Sequence, residues 1–251
     1  GKMNSVSLRF FLQVILIAIF IHLMNIEIVS TKVDFFDNLL ENNKVNILFS
    51  TFCLTVLING TNFMDGLNGL VIKYFLIIYL IINFVLQNFV FDQQFVNYII
   101  LALSIILLFN LLGYLYLGDS GSYLLSFFTG IFLINFSNNN PTISPYFIIV
   151  LLWYPCFELL FSMIRRFFKK TKTYEPDTKH LHQLIFKYIS KKFKIENKLI
   201  RHLIISFSVN SINLISILIS TNFIYNSKIL LFILLINIFI YISLFNFLRR
   251  I

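Results

Sequence analysis

Long runs of uninterrupted apolar residues, separated by short polar intervals, cover almost the whole chain. A helix that crosses lipid needs about 20 predominantly apolar residues. On that template the pattern predicts eight spanning helices, at about 8–24, 45–60, 70–90, 96–117, 122–137, 144–164, 202–224 and 229–248. The runs are continuously apolar and do not alternate, which excludes the strands of a membrane β-barrel. Lipid forces every backbone group to pair inside its own segment. The expected fold class is therefore an all-α integral membrane protein, one polytopic bundle over residues 1–251. Spans 45–60 and 122–137 are short and each abuts a Gly-rich polar motif, so these two helices are expected to end below the membrane surface.

Composition agrees with the pattern. Of 251 residues, 58% are hydrophobic and only 12% charged, against about 45–50% and 25% in a soluble domain. Mean hydropathy is +0.84. Cys53 and Cys156 both fall in apolar segments and read as packing residues. The first run is followed by HLMNIEIVS, without a small-residue cleavage pattern, so it reads as a span and not a removable signal.

The net charge of +9 could suggest a nucleic-acid partner, but in a membrane protein it reports loops on the cytoplasmic side. Segment 165–201 carries 12 of the 20 basic residues, which makes it cytoplasmic. Counting spans outward puts both chain ends on that side. Loop 25–44, with Asp34, Asp37 and Glu41, falls on the other. The same count brings three polar features to the cytoplasmic face: NGTNFMDGLNGL at 59–70, GDSGS at 118–122, and the basic segment itself.

Five of the eight glycines fall within the first two motifs, together with Asp65 and Asp119. Glycine lets backbone N–H groups approach a ligand. Ionisable groups at a membrane edge are costly and point to function. Glycines with carboxylates suit phosphates held through Mg²⁺, which favours oxygen ligands shared with substrate. Either motif alone also fits a plain tight turn. The third feature, YEPDTKHLHQL at 174–184, holds His180 and His182. Two residues apart on a helix, they would point in different directions. They could contact phosphates or shuttle protons, or be solvated loop histidines. His22 and His202 show no partner in sequence. Glu158 is open to two readings, a functional acid or an ion pair with Arg165 and Arg166. Segment 187–198 reads as an amphipathic surface stretch that grips anionic lipid.

In combination these motifs resemble the polyprenyl-phosphate N-acetylhexosamine-1-phosphate transferases (glycosyltransferase family 4). The family pattern NxxNxxDGxxGL is matched by Asn59, Asn62, Asp65, Gly66, Gly69 and Leu70. GDxGS is matched by Gly118, Asp119, Gly121 and Ser122, and the histidine motif by His180 and His182. Asn68 stands where the family often has Asp, and Gln183 replaces a third histidine. Both departures look more like the enzymes of O-antigen and lipopolysaccharide assembly than the peptidoglycan enzyme. The family also carries an adjacent aspartate pair before the segment resembling 8–24. The chain is therefore expected to lack an N-terminal portion.

The resemblance implies transfer of a sugar 1-phosphate from a UDP-N-acetylhexosamine to a polyprenyl phosphate at the cytoplasmic face of a bacterial inner membrane, in cell-envelope polysaccharide synthesis. UMP leaves. It implies Mg²⁺, with Mn²⁺ as the alternative, held by Asp119 with Asn62 nearby. Asp65, Asp119, His180 and His182 are the implied catalytic residues. Asn59, Asn62, Gly66, Asn68, Gly121, Ser122, Lys179, Arg165 and Arg166 are the implied substrate-binding ones. A homodimer fits the family, and nucleic acid is not an expected partner. Two other classes compete: a membrane transporter or channel, and a non-catalytic family member acting as a scaffold.

Overall fold

The computed structural model describes residues 6–90, 92–168, 179–193 and 197–250. These form ten α-helices and no strand: α1 (Val6–Met24), α2 (Asp34–Leu40), α3 (Asn43–Met64), α4 (Leu70–Phe84), α5 (Gln93–Leu111), α6 (Gly118–Asn139), α7 (Pro145–Phe168), α8 (Leu181–Phe193), α9 (Lys198–Thr221) and α10 (Ser227–Arg249). Seven of them are long and apolar enough to cross a membrane, and α4 is a shorter apolar helix. The protein is a multi-pass membrane protein, and each predicted span corresponds to one helix. Lys2, Lys169, Lys170, Lys172, Lys194 and the YEPDT part of the third motif lie outside the described residues.

Several boundaries differ from the hydropathy pattern, each for a local reason. Helices α3 and α6 are not short: each has 22 residues and absorbs part of the polar motif at its end. Helix α5 stops at Leu111 and does not run on to 117. There Gly113 takes φ +79°, its N–H donates to Asn110 O (3.1 Å), and the Tyr114 N–H reaches back to Phe109 O (3.0 Å). That paired bonding with a left-handed glycine just past the helix is a Schellman stop. The loop 25–44 holds α2, pinned by Asp37, which accepts from the Thr31 N–H and from the Thr31 and Ser30 hydroxyls.

Helix α4 spans about 22 Å at 1.5 Å per residue, against about 30 Å of hydrocarbon. Protein surrounds it instead: ten of its 15 residues are buried, mainly under α5 and α9. At the middle of the bundle α3 packs on α1, α6 and α7. The α3–α7 crossing is close at Gly60, where a Cβ would sit 2.1 Å from the Pro155 carbonyl oxygen. Small residues permit such approach between membrane helices. Gly60 thus serves helix packing and not ligand approach.

Pro155 lies inside α7 and has no N–H to give to the carbonyl four residues back. That carbonyl, Leu151 O, accepts instead from the buried Tyr74 hydroxyl of α4 at 2.7 Å. Tyr74→Phe leaves it without this donor in an apolar interior. The expected loss is about 1–3 kcal/mol, read as a lower unfolding midpoint in detergent with the helix content of the folded state unchanged.

Candidate functional site

The last turns of α3 and the first turn of α6 carry the first two motifs. Asn59 and Asn62 are helical, and Asp65 is the C-cap of α3. GDSGS is the first turn of α6, not a turn preceding it. The Asn62 side-chain N–H₂ donates to Asp119 Oδ1 at 2.9 Å and to Ser122 Oγ at 3.5 Å. Asn62 therefore holds the Asp119 carboxylate, and its own amide oxygen stays out of these bonds. Ser122 is buried and donates to the Asp119 carbonyl (3.0 Å). Asn59 turns away, donating to Thr55 O at 2.9 Å and to Gln13 Oε1 of α1 at 3.3 Å. It joins helices and does not face the Asp119 group.

Asp65 is half-buried and within electrostatic reach of Asp119. Burial first, then the Asp119 charge, pushes its carboxyl up to about 6, while the Gly118 N–H opposes the rise. Gly118 takes φ +65°, with nothing within 4 Å of where a Cβ would be. The first turn of α6 thus meets Asp65 with open backbone. Two carboxylates that repel one another unless a proton or a cation intervenes, with the Asn62 amide beside them, are a suitable oxygen set for a divalent cation. No cluster of three His, Cys, Asp or Glu side chains is arranged for a metal among the described residues. A cation here would complete its shell with substrate oxygens or water.

The rest of the first motif is held from below by a residue that sequence reasoning missed. Asn110, buried near the end of α5, accepts from the Gly69 N–H (2.5 Å) and donates to Leu115 O (2.8 Å), and its carbonyl accepts from the Asn68 side chain (2.9 Å). It ties the 65–69 loop to the segment leading into GDSGS. Its signal was a lone Asn in an apolar run. Asn68 is buried, and its backbone N–H donates to His202 Nδ1 at 3.3 Å. It is thus occupied structurally, and His202, expected to have no partner, has one.

The histidines are interior groups and not solvated loop residues. His180 is 4% exposed and His182 fully buried. Their rings lie parallel, with centroids 5.8 Å apart, and Phe63 of α3 tilts against His180 at 5.0 Å. A Cβ on Gly66 would come 3.0 Å from His182 Nε2, so the first motif packs directly on the third. Gln183 Oε1 accepts from the His180 N–H (3.4 Å), a reach-back at the start of α8. Glu158 of α7, 1% exposed, takes His180 Nδ1 at 2.9 Å. This contact stands in place of the ion pair suggested for Glu158 with Arg165 or Arg166. Arg165 instead donates to Ser162 Oγ (3.3 Å) and lies over the Phe245 ring.

Burial pushes the His182 imidazole down to about 4, with Glu158 opposing and His180 adding to the fall. Between pH 6.5 and 4 the unfolded chain binds a proton that the folded one refuses, so stability must drop as pH falls through that window. The loss at the acid end is roughly 3 kcal/mol. His182→Asn should flatten that part of a stability–pH curve measured by thermal unfolding in nanodiscs.

The remaining basic candidates are spread out. Arg166 follows Arg165 on the last turns of α7. Lys179 lines a groove of about 340 Å³ with Lys187, Lys191 and Arg249, between α8 and the end of α10. Helix α8 runs from a buried start at Leu181 and His182 to an exposed end at Lys191, Lys192 and Phe193, as an amphipathic surface helix would. Gly121 lies on α6, where its Cβ position meets the Leu117 side chain.

This motif end of the bundle has counterparts in known proteins. Residues 3–137 match the model of a family described as glycosyl transferase family 4. The chain belongs to glycosyl transferase family 4. The family match covers both the Asn62–Asp65 and Asp119–Ser122 stretches and ends before the histidine pair. This family 4 chain is also 28% identical over 151 residues to an undecaprenyl-phosphate alpha-N-acetylglucosaminyl 1-phosphate transferase of Thermotoga maritima. That alignment takes in 59% of the chain and 46% of the relative, so the chain spans under half of the relative's length. No solved structure matches it.

Proposed function

We propose that this family 4 chain carries the site of a transferase. It would move a sugar 1-phosphate from a UDP-N-acetylhexosamine to a polyprenyl phosphate, forming a polyprenyl-diphospho-sugar and UMP. The carrying observation is the junction of three motifs: Asn62 bonded to Asp119, Asp65 beside them, and Gly66 packed on His182. Residues 57 and more apart in sequence meet there at one end of a membrane bundle. That is where a lipid phosphate at headgroup level and a soluble nucleotide sugar can meet. We place that end on the cytoplasmic side, because most basic residues lie in segment 165–201.

Asp119 and Asp65, with the Asn62 amide oxygen, would hold Mg²⁺ or Mn²⁺, which supplies positive charge against the negative charge gathering on the diphosphate. Asn62 keeps the Asp119 carboxylate in place. The open backbone at Gly118 lets a phosphate come close to the first turn of α6, where backbone N–H groups favour anions. His180 and His182 form the floor. Both His182 nitrogens are enclosed without a hydrogen-bond partner, which leaves them for a bound polar group.

The test is a chase of radiolabelled UDP-N-acetylhexosamine in membranes bearing the full-length protein. Label should enter an organic-extractable diphosphate lipid, with release of UMP, and stop on chelation of divalent cations. Solute uptake without lipid-linked label would favour a transporter. Loss of cation-dependent nucleotide binding altogether would favour a non-catalytic scaffold. Asp65 and Asp119 lie at helix ends, whereas transport sites concentrate at the bilayer middle.

A further inference from the structure

The acid that faces His180 has no part in the scheme above. Glu158 sits in the interior of α7, and its Oε1 takes both His180 Nδ1 (2.9 Å) and the Leu181 N–H (3.3 Å). A backbone N–H can only donate, so Oε1 acts as an acceptor. With Glu158 ionised, Oε1 can only accept, and the imidazole nitrogen beside it donates. The arrangement leaves one assignment for the neutral ring: the proton is on Nδ1 and the lone pair on Nε2.

The surroundings support a directed role. The hydroxyls of Tyr154 of α7 and Tyr241 of α10 face the same carboxylate at the edge of hydrogen-bonding range. Arg165 is near Tyr241, and among the described residues His182 also stands beside the pair. Among the ring nitrogens of the two histidines, His180 Nε2 differs from both nitrogens of His182: it is not among the enclosed, unpartnered atoms. Buried ion pairs are weak sources of stability and can often be replaced by apolar groups without loss. The carboxylate therefore has more to offer as an orienting group than as a brace.

We propose that Glu158 is a positioning residue for His180, holding the imidazole as its Nδ1–H tautomer and turning Nε2 to the site as an acceptor for a phosphate monoester. The inference rests on the transferase reading for its substrate. At this step the proton of a P–O–H group passes to Nε2. The phosphate becomes the dianionic nucleophile, the new imidazolium charge is balanced by Glu158, and no other bond changes.

Four variants of the full-length protein test the assignment. Glu158→Leu should lower kcat by roughly 100-fold, the usual scale for a disabled proton acceptor, with the KM for the nucleotide sugar nearly unchanged. Glu158→Asp should restore most of the loss. In a His180→Gln background Glu158→Leu should cost nothing more, because the acid acts only through the ring. A further loss in that background, or a raised KM at constant kcat, overturns the proposal. The ring-nitrogen NMR shifts of His180 in the wild-type protein give an answer that needs no activity. An Nδ1–H signature supports the assignment, and an Nε2–H signature overturns it. Wild-type protein that forms no lipid-linked product would sink the transferase reading, while those shifts still decide the role of Glu158.

Discussion

Asp119→Asn is expected to abolish sugar-phosphate transfer in the full-length protein, to below about 1% of the wild-type rate, while the variant still inserts and folds. The substitution keeps size and an oxygen for the Asn62 N–H₂, now 2.9 Å from Oδ1. What it removes is charge. Losing one preorganised electrostatic stabiliser costs about 10²–10³-fold in enzymes generally, and a cation ligand lies at the upper end of that range. A second consequence can be checked without turnover. Asp119 is one of the causes that raise the Asp65 carboxyl to about 6, so Asp65 should titrate lower in the variant. Carboxyl carbon shifts followed against pH would show it. Near-normal turnover would remove Asp119 from the mechanism.

Gly60→Ala is expected to have the largest effect on folding of any single methyl group. The added Cβ would meet the Pro155 carbonyl oxygen at 2.1 Å, the Pro155 carbonyl carbon at 2.7 Å and the Cys156 nitrogen at 3.3 Å. All three are backbone atoms, so no side-chain rotation relieves the clash. Either α3 and α7 separate, or the crossing fails. Overpacking usually costs 1–3 kcal/mol through adjustable side chains, and here about 3 kcal/mol or more is expected. Gly130→Ala is the comparison. Its Cβ would meet the Leu54 and Leu57 methyl groups, which can move. Folded yield and unfolding midpoint in detergent should fall much further for Gly60→Ala than for Gly130→Ala. Equal losses would show that the α3–α7 contact is softer than it looks. Because α3 carries Asn62 and Asp65, activity should fall with it.

The hydropathy pattern predicted a helix at all eight places, seven of them long and apolar enough to cross a membrane, because lipid imposes one rule on every segment: satisfy the backbone internally and cover it with apolar side chains. It placed boundaries poorly where polar residues continue a helix. Asn62 and Asp119 fall outside the predicted spans, and Asn59 and Ser122 only at their edges. Inside the bundle they are bonded helical residues. The opposite error came at α5, where an apolar run through 117 hid the Schellman stop at Gly113. Helix α4 is shorter than its apolar run of 70–90, and most of its length is buried in protein.

The candidate site was legible as motifs and not as contacts. The residue types of Asp65, Asp119, His180 and His182 already pointed to phosphate and cation chemistry. Glu158 stood open between a functional acid and an ion pair, and Asn110 was not distinguishable from other polar residues in apolar segments, since their meaning lies in partners 22 and 41 residues away. Glycine meaning was likewise undecided: freedom of backbone at Gly118, tight packing at Gly60 and Gly66.

By itself, then, the sequence determined a multi-pass helical membrane protein with three polar motifs, since hydropathy and residue type act locally along the chain. Only the tertiary structure decided which of those polar residues face one another, which are consumed in holding helices together, and that His180 rests on a buried acid. Pairing of buried polar groups depends on distances across helices, and no spacing along one strand of residues carries that information.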